Sequence, residues 1–334
     1  MNASERFAQL VQTFFCDYLV KQRDISPQTL SAYRDAFRLL LPFLQRACGK
    51  PVHQLEFSDL NAANLIAFLQ HLEEERGNCV RTRNCRLAAL RSFFRYAGAA
   101  EGPEVIAHVQ RIMAIPNKRF VRPMLGFLSV AEMQAILHAT GKSWTGQRDH
   151  LLFLFLYNTG SRVSEALSTR VQDVQRHDYR AVQLMGKGRK QRMVPLWKET
   201  THLIRSWVKF ANLKSDQPLL PNRFGSQMTR TAVQQRLQLS VQTACQTHPS
   251  LRHRRISPHT IRHTTAMHLL QSGVATPVIA LWLGHEDPVT THQYIEADLA
   301  MKETALSHLQ SPKEKRRRFQ PRPDLLRFLD DLGL

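Results

Sequence analysis

The chain has 334 residues, and its 46 lysines and arginines outnumber its 27 aspartates and glutamates, which gives a formal net charge of +19. Its hydrophobic fraction of 43% is ordinary for a folded protein and excludes disorder over most of the chain. The most apolar run, residues 151–157, is far shorter than the roughly 20 residues of a transmembrane helix. The charge favours a polyanionic partner, with nucleic acid as the first candidate. A membrane-surface binder and a merely soluble basic protein are the alternatives.

The five cysteines are scattered and odd in number, and they form no C-x-x-C pair. This usage predicts reduced thiols in a cytosolic protein and argues against a disulfide framework or a zinc finger. Residues 1–7 lack the basic and apolar regions of a signal peptide. We therefore expect a cytoplasmic, nucleoid-associated protein that does not bind membranes.

Apolar residues at helical spacing predict that residues 1–113 form a helical domain. After a first amphipathic helix, Ser26 and Pro27 are typical of an N-cap and the first residue of a second helix. Pro42 is expected to kink this second helix or to end it early. A third helix is predicted near residues 60–72.

A fourth helix, predicted over residues 80–97, carries arginines with no acidic residue among them. These arginines are Arg81, Arg83, Arg86, Arg91 and Arg95. Isolated charges usually form a solvated face, but this cluster favours contacts with DNA phosphates. Residues 114–124 contain two prolines and the cations Lys118, Arg119 and Arg122, and they predict an extended linker that also contacts DNA.

The second domain, residues 125–310, is predicted to be mostly helical. Ser129 is expected to cap one helix, and residues 149–157 are predicted to form a buried one. Two short runs, 181–185 and 192–196, flank a glycine turn and predict a β-hairpin. Further helices are expected near Glu199, near Thr231 and at Ser257. The fold class is therefore mainly α with one small β-sheet.

Two familiar motifs are incomplete. Residues 141–143 (Gly-Lys-Ser) resemble the end of a Walker A loop, but Ile136 stands where that loop needs a glycine. His259 and His263 have the spacing of a zinc pair, but the glutamate of H-E-x-x-H is missing and Arg262 between them would repel a cation. We therefore expect no metal and no cofactor.

A separated set of basic residues and one tyrosine remains. In chain order these residues are Arg162, Lys187, His259, Arg262, His285 and Tyr294. Glu165 shares a helix face with Arg162 because the two lie three residues apart. Each residue alone is typical of a surface ion pair, a solvated turn or simple packing. Together and in this order they resemble the signature of the tyrosine recombinases, the phage integrase family. Residues 26–33 and 86–96 look like the family's N-terminal core-binding helices.

The resemblance implies a two-domain DNA clamp. A helical core-binding (SAM-like) domain, residues 1–113, is joined by the linker to a mixed α/β catalytic domain, residues 125–310. A basic connection and a C-terminal exchange helix occupy residues 311–334. The implied reaction proceeds through a 3′-phosphotyrosyl intermediate and a Holliday junction. It takes place on a double-stranded recombination site held by a homotetramer, alone or with related recombinases.

When a hydroxyl attacks a phosphodiester, negative charge gathers on the non-bridging oxygens. Arginines suit these oxygens because the planar guanidinium donates two hydrogen bonds and stays charged. Arg162 and Arg262 would bind them, and His285 would add a third donor. Glu165 would accept hydrogen bonds from Arg162 and so hold its guanidinium in position.

The resemblance also assigns the nucleophile and the proton transfers. Tyr294 would attack phosphorus, and His259 is the candidate base that accepts its proton. Lys187, on the predicted hairpin, would protonate the leaving 5′ oxygen. Because the phosphotyrosine conserves the bond energy, neither ATP nor a metal is needed.

The last residues suggest a docking segment. From Asp324 an apolar face recurs on a helix too short to be stable alone, so this face must be buried elsewhere. It could dock on its own catalytic domain. The resemblance implies docking on a neighbouring protomer instead.

The biological role is less determined by the sequence. The first predicted helix starts near Phe7 and leaves no room for an additional arm-binding domain, which favours a simple recombinase. Such an enzyme would serve a mobile element, either transposon or plasmid, or resolve dimers. The alternatives are a catalytically idle DNA-binding relative and a type IB topoisomerase-like enzyme that relaxes supercoils.

Overall fold

The structure is a computed structural model that describes residues 2–102, 105–120, 126–186 and 190–284. The chain separates into two compact units, Met1–Pro123 and Met124–Leu334. Each unit has its own hydrophobic core. Across the described part of the chain, no helix is both long and apolar enough to cross a membrane.

The described residues of the first unit form helices joined by turns and short irregular segments, with no strand among them. Its α-helices are α1 (Ala3–Thr13), α2 (Pro27–Cys48), α3 (Ala62–Glu74), α4 (Val80–Ala100) and α5 (Ile106–Met113). A π-helical segment, Phe14–Gln22, continues α1, and short 3-10 turns precede α3. The predicted helices near residues 60–72 and 80–97 are confirmed as α3 and α4.

The start of α2 matches its sequence signals, but its end does not. Ser26 accepts a hydrogen bond from the Thr29 backbone N at 3.2 Å, and Pro27 is the first helical residue. The prediction that Pro42 ends the helix early is wrong, because α2 continues to Cys48. The proline removes one backbone hydrogen bond. Buried apolar residues on both sides of it, such as Leu40 and Leu44, hold the helix against the core.

The second unit contains, among its described residues, the α-helices and strands that follow. The helices are α6 (Val130–His138), α7 (Trp144–Thr159), α8 (Val163–Ser168), α9 (Gln172–Gln175), α10 (Lys198–Phe210), α11 (Arg230–Ala244), α12 (Pro258–Gln271) and α13 (Thr276–Leu283). The strands are β1 (Ala181–Met185) and β2 (Gln191–Pro195). The mainly helical fold class with one small sheet is confirmed.

The predicted hairpin is present, with its second strand shifted by one residue. β1 and β2 pair antiparallel, with Ala181 opposite Pro195 and Met185 opposite Gln191. The residues between them, 187–189, lie outside the described residues.

The central element of the second unit is α7, which is buried along most of its length. The predicted buried helix, residues 149–157, is part of it. The helix begins five residues earlier because Ser143 caps it by accepting a hydrogen bond from the Gly146 backbone N at 3.1 Å. A helix that is apolar on all sides is typical of a core position, and α6, α10 and α12 pack against α7.

Candidate active site

The site begins where α7 ends. Gly160 closes α7 with φ +58°, a left-handed conformation that disfavours other residues. A Cβ atom at this position would lie 2.4 Å from Cδ2 of Leu283, at the end of α13. The position therefore requires glycine both for its turn and for the close approach of α13.

Arg162 is the N-cap residue of α8, and Glu165 lies in the first turn. The Glu165 carboxylate accepts hydrogen bonds from the Arg162 backbone N at 3.0 Å and from its Nη1 at 2.8 Å. The Glu165 side chain is only 4% exposed, whereas the Arg162 side chain is 40% exposed. Glu165 therefore anchors one edge of the Arg162 guanidinium and leaves the rest accessible.

A second arginine, which sequence reasoning missed, shares this carboxylate. Arg192 on β2 donates from Nη2 to Glu165 Oε2 at 2.7 Å and from Nε to the Trp282 carbonyl at 2.9 Å. The signal that could have found it is strand alternation. Arg192 lies two residues before the buried Val194, so it points to the core face of β2.

Burial alone would raise the pKa of the Glu165 carboxyl. The hydrogen bonds from Arg192 and Arg162, together with the positive charge of Arg192, outweigh burial and hold that pKa below its usual value. Glu165 is therefore a carboxylate at neutral pH, and it counters the charge of the two arginines.

The opposite side of the site is the start of α12. Ser257 caps this helix and Pro258 is its first residue, as the sequence predicts. Arg262, one turn further on, is buried, and its Nη1 donates to the Gly160 carbonyl at 2.7 Å. This hydrogen bond joins the first turn of α12 to the turn that precedes α8.

The two helix starts border a cleft of about 280 Å³. Its lining residues are Ser161, Arg162, Val163, Ser164, Arg230, Pro258, His259 and Arg262. The structure thus brings together Arg162, His259 and Arg262, and it adds Arg230, the first residue of α11, which the sequence did not single out. None of these eight described lining residues is acidic, so the cleft favours an anion such as a phosphodiester.

Several sequence-predicted residues lie outside the described residues. They are Lys187, His285, Tyr294 and Arg122, together with the C-terminal residues 311–334. The structure does describe two of their neighbours in the chain. Gly186 follows β1, and Gly284 ends α13 in a left-handed conformation.

Comparison with known families covers both units. The description "Phage integrase family" matches residues 126–301, and "Phage integrase, N-terminal SAM-like domain" matches residues 13–101. The first match alone spans more than half of the chain. The chain belongs to the phage integrase family of tyrosine recombinases. It is therefore a site-specific DNA recombinase of the tyrosine type.

Proteins with similar sequences are named as integrases or recombinases. The recombinase is 43% identical over 333 residues to integrase/recombinase y4rC of Sinorhizobium fredii, which covers 99% of this chain and 100% of that one. It is 30% identical to tyrosine recombinase XerC of Xylella fastidiosa, over 87% of this chain and 93% of that one.

Solved structures share the fold at low sequence identity. The XerH site-specific recombinase bound to its difH substrate matches with a TM-score of 0.63 and 20% identity, over 85% of this chain and 81% of that one. A lambda integrase tetramer bound to a Holliday junction matches with a TM-score of 0.61 and 15% identity, over 86% and 76%. At these identities the likeness shows the fold alone.

The five arginines on α4 of this recombinase differ in exposure. Arg81 and Arg95 are exposed and Arg86 is half-buried. Arg83 is buried and donates to the Pro116 carbonyl at 2.9 Å. The half-buried Arg91 donates to the backbone carbonyls of residues 113 and 115. Arg83 and Arg91 thus attach the start of the linker to α4.

The two described linker cations are exposed. Lys118 Nζ lies 2.7 Å from a Glu73 carboxylate oxygen, and Arg119 is the next residue. DNA contacts by the α4 arginines and by these cations stay predictions. Exposure favours Arg81, Arg95 and Arg119 among them.

Proposed function

We propose that the recombinase cleaves and rejoins DNA through a 3′-phosphotyrosyl intermediate, with Tyr294 as the nucleophile and the cleft between α8 and α12 as the phosphate site. The observation that carries this proposal is the meeting of Arg162, His259 and Arg262 in one cleft. In the sequence, Arg162 lies about a hundred residues before His259 and Arg262. A merely structural set of residues has no need to gather the three guanidinium groups of Arg162, Arg230 and Arg262 without an acidic residue in the lining.

The two arginines would stabilise the charge that develops on the non-bridging oxygens. Arg262 is anchored by the Gly160 carbonyl, and Arg162 is anchored by Glu165. Donors held in place before the reaction cost no reorganisation when the charge develops. His285 would supply a third donor to the same oxygens.

Two proton transfers accompany the attack of Tyr294. His259 lies in the first turn of α12 and lines the cleft, where it would accept the phenolic proton. Lys187 would give a proton to the leaving 5′ oxygen. The bond between the Tyr294 oxygen and phosphorus forms as the bond between phosphorus and the 5′ oxygen breaks. Attack by a different 5′ hydroxyl then reverses the step on a new strand.

Exchange of the first pair of strands between two duplexes would form a Holliday junction, and exchange of the second pair would resolve it. We infer that the partner is a double-stranded recombination site held by a tetramer of this chain, alone or with related recombinases. The lambda integrase tetramer on a Holliday junction, which shares the fold, supports this assembly. The role would be DNA rearrangement for a mobile element or dimer resolution. A relative named integrase/recombinase supports the first of these roles.

The test is a nicked suicide duplex followed by a strand-exchange assay with two duplexes. The core site is selected from a random-sequence duplex pool with the full-length protein. A covalent adduct contradicts the idle DNA-binding alternative. Joined product between two duplexes contradicts an enzyme that only relaxes supercoils. If the wild-type protein forms no adduct on its selected site, the proposed function is wrong.

Replacing the proposed acid should be rescued by a better leaving group. Lys187→Ala is expected to cleave a normal duplex slowly, since the 5′ oxygen then leaves without a proton. A duplex with sulfur at that bridging position should be cleaved near the wild-type rate, because a thiolate leaves unprotonated. Single-turnover rates on both substrates measure the effect.

The matched control for that experiment is Lys190→Ala, which removes a neighbouring cation of the same turn. It should show no selective rescue by sulfur. If sulfur fails to rescue Lys187→Ala, the acid must be another group, with Arg189 and Lys190 as the nearest candidates in the sequence.

Removing the last eleven residues should separate folding from assembly. Deletion of residues 324–334 is expected to leave monomer folding and single-site DNA binding nearly intact while strand exchange falls. Thermal melting, gel shift and recombination assays measure the three properties. Normal recombination by the truncated protein would contradict docking on a neighbouring protomer. Loss of the folded monomer would favour docking on its own catalytic domain.

A further inference from the structure

The half-buried Arg192 on β2 has no role in the reaction proposed above. The Arg192 side chain is 12% exposed, and its nitrogens face two elements, α8 and the end of α13. Nη2 contacts Glu165 on α8, Nε contacts the Trp282 carbonyl in the last turn of α13, and Nη1 lies beside Gly284. A guanidinium is costly to bury unless it is paired with an opposite charge and its donors are hydrogen-bonded.

These contacts join the elements that lead to the predicted catalytic residues. α8 carries Glu165, and Arg162 is its N-cap residue. In the sequence, His285 directly follows Gly284, and the turn with Lys187 lies between β1 and the strand of Arg192. A guanidinium at the C-terminal end of α13 is also favoured by the negative end of the helix dipole.

We propose that Arg192 is a positioning residue for recombination: it holds Glu165, and through it Arg162, in register with the end of α13. This inference rests on the proposed function, since it gives Arg192 a task only if Arg162 binds the reacting phosphate. Arg192 itself does not line the cleft.

The sharing of one carboxylate explains how Arg192 would act at a distance. Glu165 Oε1 receives Nη1 of Arg162, and Oε2 receives Nη2 of Arg192. Without Arg192, the carboxylate would be free to turn and draw the Arg162 guanidinium into a closer ion pair. Arg162 would then be misplaced for a phosphate, although the cleft would still exist.

The surroundings of Arg192 require the shape of arginine. A Cβ atom at Gly284 would lie 2.9 Å from Arg192 Nη1 and 3.1 Å from its Cδ, so a side chain there would displace it. Lysine has one ammonium group and cannot reproduce the two separate contacts in fixed geometry. We therefore expect lysine to restore only part of the function.

The test uses the full-length protein and a nicked duplex that carries the core site selected from a random-sequence pool. Arg192→Ala is expected to slow covalent adduct formation by about 10- to 100-fold, the range for misplacement of a catalytic group. DNA affinity should change by less than about threefold, because many other phosphate contacts remain. Arg192→Lys should lie between Arg192→Ala and the wild type.

Arg254 offers a matched control. It donates to both oxygens of Glu132 and to the Phe127 carbonyl, so it makes the same kinds of contacts outside the cleft. Arg254→Ala should lower the melting temperature yet keep the adduct rate of the protein that remains folded. A merely structural Arg192 would behave in the same way.

A double-mutant cycle tests the route through Glu165. Arg192→Ala combined with Glu165→Gln should be no slower than the slower single variant, because both act on Arg162 through one carboxylate. If Arg192→Ala does not fold, Arg192→Lys and its combination with Glu165→Gln carry the same comparison.

The outcomes separate the inference from the proposed function. Wild-type adduct together with an Arg192→Ala or Arg192→Lys rate equal to wild type overturns the inference alone. So do multiplicative effects in the cycle, or an equal slowing by Arg254→Ala. Absence of adduct with the wild-type protein overturns the proposed function, and the inference falls with it.

Discussion

Tyr294→Phe is expected to abolish covalent attachment to DNA while duplex binding stays unchanged. The substitution removes only the phenolic oxygen, which is the atom proposed to attack phosphorus. The ring remains, and so do the cations proposed to contact phosphates. Incubation with the nicked duplex, followed by denaturing gel electrophoresis and mass spectrometry of the DNA-linked peptide, measures the adduct. A gel-shift assay at the same salt concentration measures binding to the duplex.

Tyr157 provides the matched control in the catalytic unit. Its hydroxyl is hydrogen-bonded to His268 Nδ1 at 2.7 Å. Burial raises the pKa of the Tyr157 phenol, so it is a poorer nucleophile than an exposed tyrosine. Tyr157→Phe should therefore form the adduct at near the wild-type rate. Labelling of Tyr157, or trapping of DNA by Tyr294→Phe, would show that the nucleophile is misassigned.

Local signals in the sequence predicted much of the fold. Ser26, Ser129 and Ser257 each cap a helix, as their sequence positions predicted. The hairpin around the glycine turn was also found, within one residue. Caps and tight turns are readable because their hydrogen bonds join residues two to four apart.

The candidate site was predictable only in part, because its contacts are long-range. The pairing of Arg162 with Glu165 follows from a three-residue spacing, whereas Arg192 reaches partners 27 and 90 residues away. Part of the need for glycine at position 160 arises from Leu283, which no local pattern connects to it. The motif therefore predicted Arg162, His259 and Arg262, which line one cleft, but not the contacts that hold them in place.

In the first unit, the contacts of the α4 arginines were also not predictable from the sequence. The arginines of this helix are identical in the sequence but have different surroundings in the structure. Arg83 and Arg91 donate to backbone carbonyls near the start of the linker, whereas Arg81 and Arg95 are exposed. Composition records that a helix is basic. It does not record which side chains a folded linker has already engaged.

Arg162→Ala and Arg262→Ala are each expected to slow single-turnover cleavage by about two to three orders of magnitude, as for loss of a donor to developing charge. The control Arg205→Ala removes an arginine of α10 that is bonded to Asp178 at 2.7 Å, and it should cleave normally.

The lysine variants distinguish bidentate binding from simple charge. Arg262 already uses Nη1 to bond the Gly160 carbonyl, so it can serve a phosphate only because the guanidinium has further donors in one plane. Lysine at this buried position keeps the charge but has to divide one ammonium between the carbonyl and the phosphate. Arg262→Lys should therefore cleave nearly as slowly as Arg262→Ala. Arg162→Lys should recover somewhat more, because Arg162 is 40% exposed and its neighbours leave room for a lysine to reorient. Near-normal cleavage by Arg262→Lys would show that charge alone is enough, and the paired-guanidinium site would then be wrong.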